Sequence, residues 1–343
     1  MKLFIAPGTT GIPLAPWFST TTTTHLFTKD LPANYFDTAA DTVSAVDEAE
    51  AIILPHNVKE MTPAAQEYIH HWASEGERLH VPVFVFCIGD LTDGVRFDER
   101  VYVFRFSVYK STMGQRDIVI PTSTEDPPAS LVYDREKHSI PVVAFCGMGA
   151  FKNAKDWVKY FLKNLWFSLI GIIHPNAQAY KLGVYWRRAM MQACRGSALV
   201  QTNFIVRRTF SSLRKTIELD PAVARQEYLE ATSHADFVLA PKGDGNYSNR
   251  FLKTLAFGRI PVLVDTDVVL PLEDTIPYEK IVVKIPMSQA SKTPTYVRSF
   301  YDALTDHEWI ERQQLARQMY NTYLRQDAFF AYFFKHIAPT LKP

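Results

Sequence analysis

Residues 228–271 gather the side chains best suited to holding an anion. Phe237-Val238-Leu239-Ala240 is an apolar run of strand type, Pro241 to Tyr247 is a polar loop with two glycines, and Ser248-Asn249-Arg250 opens a helical stretch that Gly258 stops. In a doubly wound sheet, such a strand-to-helix loop lies at the carboxyl edge, where ligands bind. Free N–H groups at the helix start, the macrodipole, Lys242 and Arg250 then converge on one spot, which suits a diphosphate. Gly243, Asp244, Tyr247, Ser248 and Asn249 complete this candidate loop, with Lys253 one turn further on. Arg187 and the pair Arg207-Arg208, directly after the apolar residues 203–206, are further cation candidates. The competing reading makes Ser248 a plain cap and the arginines a solvated basic face. Asp265-Thr266-Asp267 is a D-x-D triplet of the kind that holds Mn²⁺ or Mg²⁺ against a diphosphate, and it stands as the metal-dependent alternative.

If the diphosphate is a leaving group, the site also needs a base for the incoming hydroxyl. Candidates lie at strand ends of the first half: Asp90 after the apolar run 81–88, then Asp126 in a polar stretch after residues 117–120, then His56 after residues 51–55. Glu125 accompanies Asp126, and Asp134 and His25 are weaker choices. A carboxylate at a strand end serves equally often as a cap or loop bridge.

The elements that must position these groups alternate. Apolar runs at 3–6, 51–55, 81–88, 101–106 and 117–120 read as strands, with a helix from the Thr62 cap to about Gly76. After a polar, proline-bearing linker at 122–138, a second series begins at 141–147 and continues at 199–206, 237–240, 260–264 and 281–285. Near-continuous apolar strands are buried on both faces, the mark of parallel sheets covered by helices. Two αβ units in tandem are expected, residues 1–135 and 136–318, with a long helical stretch at 305–336.

Composition agrees with two domains: 343 residues, of which 47% are hydrophobic and 13% aromatic, exclude global disorder. The net charge of +1 excludes a protein built to live on nucleic acid. Charge is uneven, however: residues 181–260 hold 13 Lys/Arg against 6 Asp/Glu, so an anion belongs to the second half. Three cysteines without C-x-x-C spacing fit a reducing compartment. The first residues lack a signal-peptide core, and the longest lipid-like run, 166–173, is far below the roughly 20 residues of a membrane span. A cytoplasmic location is expected. Two aromatic stretches, 157–173 among Lys152, Lys155, Lys159 and Lys163, and 329–335, are read as core, with attachment to an anionic bilayer as the alternative.

The order Pro241-Lys242-Gly243, Ser248-Asn249-Arg250, Gly258-Arg259-Ile260-Pro261-Val262, Asp267 and Pro271 resembles the exostosin-like glycosyltransferases. Weaker echoes are Phe145-Cys146-Gly147, Arg187 and the run 117–121. The resemblance implies a GT-B fold, two Rossmann-like domains facing across a cleft, with the nucleotide-sugar held by the second and a glycan or lipid-linked acceptor by the first, and with residues 319–343 returning to the first domain. It further implies inverting, metal-independent transfer in surface polysaccharide biosynthesis, with no cofactor and no nucleic-acid partner. One departure matters. Where the family carries a Glu expected to hold the nucleotide ribose, this chain has Lys253, which cannot accept hydrogen bonds. Another residue such as Asp244 then takes that role, the donor is bound differently, or the protein is a catalytically silent binder.

Overall fold

The computed structural model describes residues 1–19, 35–36, 41–90, 94–209 and 218–342. His25 and the threonine run at 20–24 lie outside the described residues. The strands are β1 Lys2–Ile5, β2 Asp41–Val43, β3 Ala51–Asn57, β4 Val83–Phe86, β5 Val101–Arg105 and β6 Asp117–Val119, followed by β7 Val142–Met148, β8 Gln201–Arg207, β9 Phe237–Leu239, β10 Ile260–Asp265 and β11 Val283–Pro286. They form two sheets, ordered β2-β1-β3-β4-β5-β6 and β11-β10-β9-β7-β8, and every pairing in both is parallel.

In the first sheet, β3, β4 and β5 are buried at every residue. One face is covered by helix α1, Pro63–Leu79, where the Thr62 hydroxyl accepts from Ala65 N–H and Pro63 sits in the first turn. This helix runs past Gly76, which is buried within it, and ends at His80 in the left-handed region. The other face receives the end of the chain: Phe329, Phe330, Phe333 and Phe334 pack with Phe84, Phe86 and Phe104 in one buried cluster. Phe84 and Phe104 stack at 5.2 Å and meet Phe333 edge-on at 5.6 and 5.3 Å. Such aromatic pairs add about 0.5–1.5 kcal/mol each beyond their burial.

The second domain's helices are α2 Ala154–Ile173, α3 Gly183–Arg195, α4 Pro221–Ser233, α5 Asn249–Ala256, α6 Tyr278–Ile281, α7 Thr293–Asp302 and α8 Asp306–Met319, followed by α9 Gln326–Tyr332. The helical stretch expected at 305–336 is not continuous. A capping box of Thr305 and Glu308 opens it, a π-turn follows at Tyr320–Leu324, and Arg325, extended at ψ 133°, breaks the helix before α9. The break lets Trp309, Ala316, Tyr320 and Leu324 pack in the second core while α9 crosses to the first. The aromatic stretch of α2 departs from expectation more sharply. Its only buried residue is Asn164, and its tryptophans and most of its leucines and isoleucines are exposed. The reading of that stretch as core is overturned, whereas the reading of 329–335 as core holds.

In the second sheet the chain runs from β7 out to β8 and back to β9 on the other side of β7, which makes the β7/β9 boundary the topological switch point. The carboxyl edges of the two sheets face each other. Lys110 N–H donates to Asp267 O at 2.9 Å, Tyr109 bridges Val268, and the Thr122 hydroxyl donates to Asn249 Oδ1 at 2.8 Å. This is the GT-B arrangement.

Candidate functional site

The loop 241–248 leaves β9 at the switch point and is held from three sides. Gly243 N–H donates to Tyr247 O at 2.6 Å, closing the turn. Asn246, almost fully buried, donates to Thr266 O at 3.0 Å and Asp267 O at 3.1 Å and accepts from the Thr266 hydroxyl at 2.6 Å. Below the loop, Gly183 opens α3 so close that an added Cβ would stand 2.3 Å from Lys242 O and 2.4 Å from Gly243 O. Lys242 is thereby turned inward. Its ammonium donates to Tyr109 Oη at 2.5 Å and Ala179 O at 2.9 Å, which makes it a strut between the domains rather than the anion ligand expected.

Ser248 takes the N-cap position of α5 with extended backbone, but its hydroxyl makes no capping bond. Asn249 is tied to Thr122 of the linker. Arg250, in the first turn, reaches back across the switch point to Cys146 O at 2.9 Å and lies 4.4 Å from the Phe145 ring centroid. Its guanidinium occupies the space above Gly147 (φ 147°), where a Cβ would meet it at 2.6 Å. Arg187 comes up from α3 to Met148 O at 3.2 Å. Burial lowers the pKa of both guanidinium groups, and Arg250 lowers that of Arg187 further, to about 10. Among the described residues neither arginine pairs with a carboxylate, and the Nε–H of each is buried without an acceptor. Buried donors of this kind are normally satisfied, so two side by side mark a place for an anion.

Lys253 follows one turn later, 5.3 Å from the Tyr228 ring centroid. Burial lowers its pKa to about 8, with Glu125 opposing that shift and Arg250 and Arg225 adding to it. Arg207 is answered by Glu227 of α4 at 2.5 Å, and Arg208 is exposed after β8. The D-x-D carboxylates are engaged separately: Asp265 pairs with Lys284 at 3.2 Å, and Asp267, in the left-handed region, accepts from Ser111 N–H at 2.8 Å.

Of the three base candidates, the structure brings only Asp90 to the loop. A Cβ on Gly245 would stand 2.7 Å from Asp90 O, and the Asp90 carboxylate accepts from Tyr247 Oη, whose pKa burial and this neighbour raise. Asp244 is exposed beside Arg187. Asp126 instead shares Arg317 with Ala256 O, at 3.2 and 2.5 Å, at the far end of α5, about 12 Å of helix from Ser248. His56 is fully buried. Its Nδ1–H donates to Ile12 O and its Nε2 accepts from Thr9 N–H, both at 2.9 Å, so neither nitrogen is available for proton transfer. Asp126 and His56 are thus withdrawn as bases, their strand-end positions being used for structure. Sequence reasoning missed Gly183, Tyr109 and Tyr228, whose roles depend on approach from other elements; only the placement of Gly183 before a helical run hinted at a close contact.

Residues 147–300, which include α3 and the loop 241–248 with α5, match the family model for the exostosin GT47 domain. This segment is similar to exostosin GT47 domains. Similar proteins include the "Probable glucuronosyltransferase GUT1" of Oryza sativa subsp. japonica, 36% identical over 22% of this chain and 18% of its own length. Others are the "Exostosin-1 homolog" of Caenorhabditis elegans, 31% identical over 29% and 25%, and the "Probable beta-1,4-xylosyltransferase IRX10" of Arabidopsis thaliana, 36% identical over 21% and 18%. The matched stretches thus span a quarter or less of these relatives. Among solved structures, TarM is similar with a TM-score of 0.37 at 8% identity, covering 88% of this chain and 55% of that one. An alpha-glucosyltransferase in complex with UDP-glucose and DNA containing an abasic site is similar with a TM-score of 0.36 at 11% identity, covering 99% of both.

Proposed function

We propose that this protein is an inverting glycosyltransferase that moves a sugar from a nucleotide-sugar to a glycan or glycolipid acceptor in surface-glycan synthesis. The observation that carries the reading is the pair Arg187 and Arg250, buried side by side with unpartnered Nε–H groups at the switch point of a GT47 domain. In the reaction, the acceptor hydroxyl oxygen bonds to the anomeric carbon as the bond from that carbon to the diphosphate breaks. Asp90 takes the hydroxyl proton, and the diphosphate leaves with its new charge held by the two guanidinium groups and the first N–H groups of α5. We further propose that the transfer needs no metal, since the cations already supply the positive charge and both D-x-D carboxylates have other partners.

The test is a thermal-shift screen with UDP, GDP, CDP, dTDP and their sugars, each with and without EDTA, followed by calorimetry. One nucleotide family should raise the melting temperature in EDTA as much as without it. Arg250→Met should lose that shift while melting no lower than the wild type, because it removes a buried charge that no carboxylate offsets. Failure of every nucleotide to bind would refute the reading. Lys253 favours a second reading, a protein that binds nucleotide without transfer; it predicts the thermal shift with no turnover of any donor.

A further inference from the structure

Helix α2 is amphipathic in the wrong direction for a protein surface. Its stripe toward the molecule is Tyr160, Asn164, Phe167, Ser168 and Gly171, which seats on the 3₁₀ segment Pro175–Tyr180. There Asn164 Oδ1 accepts from Leu182 N–H at 3.1 Å and Phe167 stacks on Tyr180 at 6.1 Å. The opposite face carries Val158, Leu162, Leu165, Trp166, Leu169 and Ile172, with Trp166 62% and Ile172 77% exposed. Surface helices normally bury such a stripe. An exposed patch of this size marks an interaction site.

Charge identifies what the face meets. Lys155, Lys159 and Lys163 are exposed along the first half of α2 and, among the described residues, pair with no carboxylate. Asp156 is the only acid of the helix, and from Asn164 to Ile173 it has no charged residue at all. Cations beside a wide apolar face with exposed tryptophan are the chemistry of a helix lying in an anionic lipid interface. No helix among the described residues is long and apolar enough to cross a membrane. We propose that α2 is a peripheral membrane-docking helix, lying along an anionic bilayer with its uncharged C-terminal half inserted deepest and Lys155, Lys159 and Lys163 against the headgroups. The segment on which it seats contacts the cleft, through Ala179 to Lys242 and Tyr180 to Tyr109, so docking would hold the cleft beside the lipid surface.

The experiment is co-sedimentation of the full chain with vesicles of phosphatidylcholine alone and of phosphatidylcholine with an equal part of phosphatidylglycerol, with analytical ultracentrifugation in parallel. The wild type should bind the anionic vesicles, and Lys159→Glu with Lys163→Glu should weaken that binding by about tenfold or more. Leu169→Glu with Ile172→Glu should abolish it while leaving the thermal melt unchanged, since both side chains already face water. Two results would overturn the proposal: wild-type protein that stays in the supernatant, or equal vesicle binding by the Leu169/Ile172 variant. A dimer that this variant dissociates, without vesicle binding, would overturn it too and assign the face to a second copy of the chain.

Discussion

Replacing Gly183 by alanine tests whether α3 and the loop 241–248 act as one unit. The added methyl would meet Lys242 O at 2.3 Å and Gly243 O at 2.4 Å, both backbone atoms that cannot swing aside as a side-chain tip can. Carbon–oxygen contacts settle at about 3.3 Å or more, so helix and loop must separate by about 1 Å. Overpacking of this kind costs about 1–3 kcal/mol, which lowers the melting temperature by several degrees. The same separation moves Arg187, one turn along α3, relative to Arg250 and the loop. Misplacing positioned groups by about 1 Å costs about 10²-fold in rate, and nucleotide affinity should fall with it. Gly196→Ala is the control, because its Cβ would have no neighbour closer than 3.7 Å and its φ is an ordinary −86°. The measurement is scanning calorimetry for stability and titration calorimetry with whichever nucleotide gives the largest thermal shift. If Gly183→Ala matches Gly196→Ala in both, the loop does not depend on this contact and the argument fails.

Asp90→Asn should retain nucleotide binding and lower kcat by about 10² or more, with loss of the acid limb of the pH–rate profile; near-normal turnover would remove Asp90 as the base. His56 is held neutral by burial, its pKa below the ordinary 6.5, so unfolding lets it take up a proton. Stability should therefore be complete above about pH 6.5 and decline as the pH falls toward the folded value, and His56→Gln should flatten this slope in urea melts between pH 5 and 7 without altering kcat of the folded protein. Lys242→Met leaves Tyr109 Oη and Ala179 O without their donor, and should lower the melting temperature more than it changes nucleotide affinity; the reverse order would return Lys242 to the anion site.

The parallel sheets were legible because buried strands of this type are written as unbroken apolar runs, and the loop 241–248 because Pro, Gly and Ser punctuate it. What the sequence hides is the answer each side chain receives. Asp90 and Asp126 follow strands of similar pattern, yet one meets Gly245 and Tyr247 across the cleft and the other meets Arg317 of α8, more than 190 positions away. His56 reads as a strand-end base until Thr9 and Ile12 fold over both its nitrogens. Helix α2 was misread for a related reason: its apolar spacing is the spacing of a core helix, and only the folded chain shows that Asn164 and Ser168 face inward while Leu162, Leu165, Leu169 and Ile172 face out.

The basic residues near the loop divide according to whether a partner answers them. Arg207 has Glu227 and Lys242 has Tyr109 and Ala179, which leaves Arg187 and Arg250, each with a buried Nε–H that meets no acceptor. Lys253, one turn beyond Arg250, offers a measurement of whether the anion lies there. With its pKa lowered to about 8, it is about half protonated at pH 8 in the empty protein. A diphosphate bound against Arg250 would favour the charged form and restore the pKa toward the ordinary lysine value, so binding near pH 8 should take up a fraction of a proton. At lower pH the uptake should shrink, because more of the lysine is already charged there. Titration calorimetry in two buffers of different ionisation heat reads the number directly, and Lys253→Met should abolish it. If uptake at pH 8 is absent in the wild type although the nucleotide binds, the diphosphate does not lie beside Lys253, and the lysine serves the Glu125–Arg225 pair behind the site instead.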